Sequence, residues 1–469
     1  MKTYLSILNS SKSKKTYINL LYKGNLNLLK RLEIIIKFKM VKIPILSYLK
    51  TKNYLFNRVD FFYTMIDQFI ISLGNFLVTV IIIRCSGLEL FGKFSILWMI
   101  LLYINSFQMA SIISPMYSIA PQKKFFNLKY YYGGVLVQQI FFSIIVFFMM
   151  YNILITLELF QNIKFFSFSD LNLISFCFAA VALPMQNFVK RLFFSQFFFF
   201  RALVSDFISY SFLITALIYL DNVNQLYLTN IFWSYTFAFS LGFMFGFYNL
   251  LLLKFRFKEF INSINQNWLI SKWLILSTST HWFSANLWFM YVGVILGPTI
   301  FGSIRACSSV AQTVNIFFQS LENIIPGKMS KILSDKGIIQ MHIYFKKVVL
   351  NYFLLTFVIC AFMAIFSKLI LNIVYGEVIS DYYYILIFFC LLNLISFFQF
   401  PLSIALRTLN NTKPILIAYV FAALLTITLS RFIILKFDLS GFIYGLIFIQ
   451  SIIISIMFFN YLIVFKKMK

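Results

Sequence analysis

Long apolar runs alternate with short polar breaks from residue 61 to the end of the chain. Each run is close to the ~20 residues that an α-helix needs to cross a bilayer. The pattern predicts an all-α polytopic membrane protein with about twelve transmembrane helices, an even number that places both termini on one side. The predicted spans are 62–83, 94–114, 131–156, 171–188, 203–220, 228–253, 273–296, 299–321, 348–371, 382–400, 414–434 and 439–464.

Composition and charge support this class. The chain has 469 residues, of which 61% are apolar and 12% are charged. In soluble domains about 45–50% of the residues are apolar and about 25% are charged. This excludes a soluble enzyme, a disordered tail protein and a secreted disulfide scaffold. The net charge is +26. With the N-terminus inside, 33 of the 40 Lys and Arg residues fall on the inner side, as the positive-inside rule requires. We therefore expect both termini in the cytoplasm and no nucleic-acid partner.

Residues 1–60 carry 13 Lys or Arg residues and only two acids, Glu33 and Asp60. The lysines interrupt every apolar stretch, so this segment is not a signal peptide. Two interpretations remain open. The segment is a basic cytoplasmic extension that lies on anionic lipid, or translation starts at Met40. The rest of the chain is predicted to form two six-helix bundles, residues 61–258 and 259–469.

An internal repeat supports the two bundles. Residues 87–92 and 297–302 both follow G-x-x-x-F-G, at an offset of 210, between spans one and two and between spans seven and eight. Three further matches follow at an offset of 217: Pro184 with Pro401, Lys190 with Arg407, and Asp221 with Asp438. Parallel repeats of this kind are related by a pseudo-two-fold axis along the membrane normal, with the substrate path between the halves. Chance matching in a biased composition is the alternative.

Several of these residues resemble a known family. The run Asp67-Gln68, Ser72, Asn75-Phe76, Arg84, Gly87 and Phe91-Gly92 resembles the first hairpin of bacterial O-antigen and capsular polysaccharide flippases. These flippases belong to the multidrug/oligosaccharidyl-lipid/polysaccharide exporter superfamily. Trp273, Ser277, Trp282, Asn286, Gly293 and Gly297 resemble its seventh span, and Tyr375-Gly376 and Gly441 with Gly445 also fit. The 60-residue N-terminal segment departs from the pattern.

The resemblance implies a function. Such a protein moves an undecaprenyl-diphosphate-linked oligosaccharide, the repeat unit of an O-antigen or capsule, across the bacterial cytoplasmic (inner) membrane. It works by alternating access between two six-helix lobes, often coupled to an ion gradient. The expected partners are the lipid-linked oligosaccharide, anionic membrane lipids, and the polysaccharide polymerase and chain-length machinery.

Polar residues inside spans are the candidates for substrate binding, because burying them in lipid is costly. Arg305 lies in span eight, followed at helical spacing by Ser309, Gln312 and Gln319. Arginine binds phosphate in a bidentate manner, so this face is predicted to line a wet cavity. The alternative is an arginine that extends to the outer headgroups.

Span one carries Gln68, Ser72, Asn75 and Thr79 on one face. They form either a polar wall for the glycan or hydrogen bonds between helices. Arg84 ends the span and either meets the diphosphate at the outer mouth or anchors the helix.

Three titratable residues are candidates for ion coupling or for simple pairing. Asp67 either binds a proton or cation, or pairs with a nearby Lys or Arg. Asp206 follows Arg201 by five residues, and we expect a surface ion pair between them. His281 shares a face with Ser277, Ser284 and Trp288 and is either a proton site or a packing residue. Trp282 and Trp288 either stack on sugars or anchor the interface.

No complete sequence motif for catalysis is present: G-x-S-x-G, H-E-x-x-H and the phosphate-binding G-x-x-x-x-G-K-[ST] are all missing, since Phe94 follows the G-x-x-x-x-G-K of residues 87–93. The five scattered cysteines contain no C-x-x-C and predict neither a metal site nor disulfides. We therefore expect no enzyme activity and no cofactor. Two alternatives remain. A cation-coupled multidrug exporter of the same superfamily would need acidic residues in its cavity, and a membrane polysaccharide polymerase would need a large external loop.

Overall fold

The computed structural model describes residues 58–120, 125–159, 173–251, 253–409 and 411–468. The basic segment at residues 1–57 and the possible start at Met40 lie outside these ranges. Within them the secondary structure is helical throughout, with no strand. The helices are α1 Arg58–Gln108, α2 Ser114–Ile119, α3 Phe125–Leu159, α4 Leu173–Ser195, α5 Phe199–Asn222, α6 Leu228–Leu251, α7 Phe257–Leu296, α8 Pro298–Ala311, α9 Asn315–Ile365, α10 Ser367–Tyr375, α11 Tyr383–Phe397, α12 Gln399–Thr408 and α13 Lys413–Met468.

Backbone breaks divide the longest of these helices into separate crossings. Gly87 in α1, Gly337 in α9 and Asp438 in α13 have positive φ angles of 81°, 78° and 50° inside otherwise helical segments. Counted with these breaks, the described residues contain twelve helical crossings, as the hydrophobic pattern predicts. We call α1–α6 the first half and α7–α13 the second half.

The surface is that of a membrane protein. Six helical segments are long and apolar enough to cross a bilayer: Phe62–Ile119, Leu128–Ile153, Phe199–Asn222, Lys328–Ile365, Glu377–Thr408 and Lys413–Lys467. Large apolar side chains such as Met244, Ile365 and Tyr444 are exposed on the outside of the helices. In water such a surface would aggregate, so this is a multi-pass membrane protein.

The crossing around α7 differs from the sequence-based prediction. The prediction starts span seven at residue 273, whereas α7 begins at Phe257. The added turns carry Ser263, Asn267 and Ser271, which are all buried. Asn267 accepts a hydrogen bond from Tyr131 Oη at 2.9 Å, and Gln138 Nε2 donates to Ser263 Oγ at 2.7 Å. The polar stripe therefore packs against α3 of the first half and is not a loop.

The loop predicted after span eight also differs. The sequence places a cytoplasmic loop of about 25 residues between spans eight and nine, but α9 continues through this region and bends at Gly337. Lys328, Lys331 and Lys336 lie in the helix before this bend. Charged residues thus extend a helix beyond its apolar part, and a hydropathy pattern does not detect such an extension.

Candidate functional site

The two copies of the repeat motif contact each other. Gly87 and Gly297 share the same backbone conformation, with φ of 81° and 90° and ψ of 179° and 169°. A Cβ on Gly92 would overlap the carbonyl of Pro298, and a Cβ on Gly302 would overlap the carbonyl of Leu88. Pro298 corresponds to Leu88 in the repeat, so the two contacts are reciprocal. This is the arrangement expected around a pseudo-two-fold axis, and we call this side of the protein the Gly87 end.

Arg84 joins the halves at the Gly87 end. Its Nε donates to Val374 O at 2.9 Å, and its Nη2 donates to Ile373 O. These carbonyls lie in the last turn of α10, where the helix dipole favours a cation. Next to it, the rings of Phe76 and Tyr375 lie 6.5 Å apart. Arg84 therefore closes this end of the interface in the present conformation, and its guanidinium is occupied by protein.

Arg305 lies one turn after Gly302, the residue of α8 that touches the first half. Gly302, Arg305 and Ser309 follow at steps of three and four, and Gly302 touches Leu88. The Arg305 guanidinium carbon lies 5.7 Å from the centroid of Phe289 on α7. Within the described residues, no carboxylate lies within ion-pair distance of it. Arg305 is thus a half-buried cation with an aromatic neighbour and no counter-charge.

The polar residues that follow Arg305 are partly engaged. Ser309 Oγ and Tyr375 Oη are 2.6 Å apart, and Gln312 Nε2 donates to Ser308 Oγ at 2.9 Å. Gln312 remains exposed. The side chain of Gln319 lies outside the described part of the structure. Span eight therefore presents a cation and an exposed amide in the region of the interface.

The predicted polar face of span one divides into two parts. Gln68 and Ser72 are exposed. Asn75 Oδ1 accepts a hydrogen bond from Tyr210 Oη at 3.2 Å, and Thr79 Oγ1 donates to the carbonyl of Asn75. Asn75 thus holds α1 to α5, whereas the side chains of Gln68 and Ser72 are exposed.

A buried ion cluster occupies the first half. Lys190 Nζ lies 2.6 Å from Asp206 Oδ2 and 3.6 Å from Asp67 Oδ2. Gln186 Nε2 also donates to Asp206, at 2.5 Å. Lys190 is 7% exposed, Asp67 3% and Asp206 2%. One carboxylate oxygen, Oδ1 of Asp67, is buried without a hydrogen bond. Two carboxylates therefore share one ammonium.

The expected surface pair between Asp206 and Arg201 is wrong. Asp206 points into the bundle toward Lys190, and Arg201 instead donates to Asn249 Oδ1 at 2.6 Å. Sequence reasoning placed Lys190 among the loop charges, because its apolar run ends early. In the structure α4 continues to Ser195 and buries Lys190. Two acids inside predicted spans, Asp67 and Asp206, had no basic partner within a span of the first half. That imbalance could have pointed to Lys190 as a buried cation.

His281 lies on α7 with its imidazole exposed. Its ring meets Tyr419 edge to face, with centroids 4.7 Å apart. The neighbouring Trp282 packs 4.8 Å from Tyr103 of the first half, and Trp288 is fully buried, with its Nε1 donating to Thr426. Trp288 is thus a core residue and neither an interfacial anchor nor a sugar platform.

Among the described residues, no group of three or more His, Cys, Asp or Glu side chains is arranged to hold a metal ion. Four of the five cysteines are buried, and Cys85 is exposed.

Comparison with known proteins decides the fold. No protein-family model matches the sequence, and no curated protein matches it. The structure aligns with an inward-facing multidrug resistance MATE family transporter of the MOP superfamily, at a TM-score of 0.68 and 11% identity, over 84% of this chain and 94% of that one. This chain has the fold of the MOP-superfamily transporters. It also aligns with the lipid II flippase MurJ in an inward closed conformation, at a TM-score of 0.69 and 14% identity, over 87% of this chain and 90% of that chain.

An outward-facing MATE family transporter of the same superfamily gives a TM-score of 0.58 at 10% identity, over 87% of this chain and 94% of that chain. The MOP-superfamily fold confirms the predicted fold class, an all-α membrane protein with two helical halves. The chains it resembles include both multidrug exporters and a flippase, so the fold alone does not choose a substrate.

Proposed function

We propose that this protein flips a polyprenyl-diphosphate-linked oligosaccharide, the repeat unit of an O-antigen or capsule, across a bacterial cytoplasmic membrane. The observation that carries the proposal is Arg305, a half-buried cation near the interface of the halves with no acidic partner among the described residues. A buried charge without a counter-charge is costly, and a bound diphosphate would supply two negative charges beside Arg305. Arginine binds phosphate oxygens through its planar fork of donors.

The remaining polar residues fit the rest of such a substrate. Gln68, Ser72 and Gln312 are exposed amide and hydroxyl groups that can bind a glycan. The polyprenyl tail needs no site of its own, because it can stay in the lipid between the halves. The relative named as a lipid II flippase carries a lipid-linked cargo, which supports this substrate class.

The charges disfavour a cation-coupled multidrug exporter. Such a protein needs carboxylates exposed to its cavity, whereas Asp67 and Asp206 are both buried beside Lys190 in the first half. The polymerase alternative receives no support either, since the similar solved structures are transporters.

The buried cluster of Asp67, Lys190 and Asp206 is the proposed coupling site. With all three groups ionised it carries one net negative charge in a low-dielectric interior. A proton or a monovalent cation on Asp67, whose Oδ1 has no hydrogen bond, would neutralise it. We assign the coupling to Asp67 in preference to His281, which has no charged neighbour within ion-pair distance in the described residues.

The proposal includes a setting. Both termini lie in the cytoplasm, the Gly87 end faces the periplasm, and the lysine-rich inner side contacts anionic lipids. The flipped product is then consumed by the polymerase and chain-length machinery. The two functional lobes correspond to residues 61–258 and 259–469.

Replacing Arg305 tests the proposal. In a strain that depends on this gene for its surface glycan, we expect Arg305→Ala to lower export about tenfold or more, because charge-assisted hydrogen bonds contribute about 1.5–3 kcal/mol. Arg305→Lys should retain part of the export, since it keeps the charge and loses the bidentate geometry. The measurement is surface glycan together with lipid-linked glycan accumulating on the cytoplasmic face.

Arg431→Ala is the matched control, because Arg431 is an exposed arginine in a span of the same half. It should leave export unchanged. Full export by Arg305→Ala at wild-type protein levels would remove Arg305 from the site. Intact surface glycan after deletion of the gene, without accumulation of lipid-linked glycan, would refute the flippase function itself.

A further inference from the structure

A chain of polar side chains crosses the second half at a place that neither Arg305 nor the buried ion cluster occupies. Gln450 Nε2 donates to Gln399 Oε1, and Gln399 Nε2 donates to Tyr419 Oη at 2.7 Å. The rings of His281 and Tyr419 pack edge to face, with an angle of 89° between their planes. Four crossings, which are α7, α12 and the two parts of α13 on either side of Asp438, thus bring two amides, a phenol and an imidazole together.

These side chains are accessible. Gln399, Tyr419 and Gln450 are half-buried, and His281 is exposed. Neither ring nitrogen of His281 makes a hydrogen bond within the described residues. On α7, Ser277, His281 and Ala285 follow at steps of four and are all exposed, and the next position on this face, Trp288, is buried. The polar groups of Ser277 and His281 on this face disfavour contact with acyl chains. We call the side chains of His281, Gln399, Tyr419 and Gln450 the pocket.

The chemistry of the pocket is selective. None of its four side chains carries a fixed charge, and within the described residues His281 forms no ion pair with a carboxylate, so it offers little to an anion or to a cationic drug. Amide, phenol and imidazole groups both donate and accept hydrogen bonds. A sugar hydroxyl does the same, and edge and face contacts with aromatic rings suit its C–H surface. The pocket therefore matches a neutral polyhydroxyl ligand.

We propose that the pocket formed by His281, Gln399, Tyr419 and Gln450 binds the glycan of the lipid-linked oligosaccharide. The proposal rests on the flippase function. His281 and Phe289, the ring beneath Arg305, lie on the same helix eight residues apart, about 12 Å along its axis. A diphosphate at Arg305 and a short glycan at His281 would therefore be held side by side in the second half. The pocket decides which sugar is accepted, and Arg305 binds the part common to all such lipids.

Two variants remove the pocket's hydrogen-bonding groups at little cost to the fold. His281→Phe keeps a ring against Tyr419 and breaks no side-chain hydrogen bond. Gln450→Leu removes the donor to Gln399 while keeping most of the volume. Ser451→Ala is the control, because Ser451 is exposed and its hydroxyl bonds only to Ile447 O of its own helix. Thermal unfolding in detergent reports whether each variant folds.

The experiment measures binding of two probes to the full chain in lipid nanodiscs, followed by tryptophan fluorescence. One probe is undecaprenyl diphosphate without sugar, and the other is undecaprenyl diphosphate carrying N-acetylglucosamine. Wild type should bind the sugar-bearing probe more tightly. Both His281→Phe and Gln450→Leu should weaken it about tenfold, which corresponds to about 1.4 kcal/mol, and leave binding of the sugar-free probe unchanged. Ser451→Ala should change neither.

The outcomes separate this proposal from the flippase function. If the sugar adds nothing to wild-type binding, or if the folded variants weaken both probes equally or neither, the glycan pocket is refuted. Weaker binding of both probes by Arg305→Ala would then still support the flippase function. If wild type binds neither probe, both proposals fail. A His281→Gln variant that keeps the sugar preference would further support a hydrogen-bonding role over a titrating one.

Discussion

Two buried or half-buried cations show how a partner determines a residue's role. Lys190 touches two carboxylates, so its charge is neutralised by the protein. The guanidinium of Arg305 lies near the ring of Phe289 and, among the described residues, has no acidic side chain within ion-pair distance. The first arrangement stabilises the fold of the first half. Under the proposed function, the second leaves a cation available to bind an anion.

Removing the charge of Lys190 tests the structural role. Lys190→Met should lower the free energy of unfolding by about 3–5 kcal/mol, because it leaves two buried carboxylates without a counter-charge. Thermal unfolding in detergent measures the loss. Adding Asp67→Asn and Asp206→Asn should restore much of it, since the cluster is then neutral. Lys368→Met, at an exposed lysine, should have little effect. Equal stability of Lys190→Met and wild type would show that the cluster is not ionised.

At the residue scale the sequence predicted candidates but not their partners. It identified Asp67, Arg305 and the face of span one from the cost of polar groups in lipid. It could not pair Asp206 with Lys190, because contacts between α4 and α5 depend on how the helices are rotated. The rotation of α4 and α5 about their axes is set by where the helices end and by how α4 packs.

Among the elements, the short helix α10 has a direct part in closing the Gly87 end. Its last-turn carbonyls accept hydrogen bonds from Arg84 of the first half. Beside it, the reciprocal contacts of Gly92 and Gly302 allow the backbones of the two halves to touch. The glycines set how closely the halves approach, and Arg84 adds a polar bond that must break for this end to open.

Arg84→Ala should therefore open the Gly87 end more often. In a Cys85→Ser background, a cysteine at Thr79 lies in span one below Arg84, and a membrane-impermeant maleimide added from outside would report opening. We expect labelling roughly tenfold faster with Arg84→Ala, because each lost hydrogen bond contributes about 0.5–1.5 kcal/mol. Arg431→Ala should leave the rate unchanged. If the rate with Arg84→Ala stays at the starting value, Arg84 does not hold this end closed.

The elements themselves were largely predictable. The apolar runs gave all twelve crossings, and the G-x-x-x-F-G repeat correctly marked two equivalent breaks with positive φ. The first turns of α7 were missed, because Ser263, Asn267 and Ser271 resemble a loop when the partner helix α3 is unknown. Hydropathy detects contact with lipid and not polar contact between helices.

At the scale of the whole molecule, the proposed flippase function requires that the state of the first half affect the interface with the second. The cluster at Asp67 lies on α1, and the same helix carries Arg84 at the Gly87 end. Binding of a proton or cation at Asp67 can thus change the position of α1 and the contact that Arg84 makes. Sequence alone indicated two halves and a polar cleft, but the relation between these sites needed the fold.

This coupling predicts a specific loss. In vesicles, flipping by wild type should rise with an imposed proton or sodium gradient, and Asp67→Asn should make it independent of both gradients. Asparagine fills the same volume, and Lys190 keeps its contact with Asp206, so the variant should fold. Glu89→Gln, at an exposed acid on the same helix, should respond like wild type. A normal response of Asp67→Asn would place the coupling ion elsewhere.

The helix α7, the first helix of the second half, is hydrogen-bonded to both halves. Its first turns are hydrogen-bonded to α3, and Trp288 further along is fixed to Thr426 in α13. A helix that is bonded to both halves resists movement of one half relative to the other. Either the bonds at Asn267 detach in each transport cycle, or the helix flexes at Ser277-Thr278-Ser279-Thr280, where Thr280 already bonds to the carbonyl of Leu276. Movement of one half against the other would therefore break hydrogen bonds of α7 or bend it.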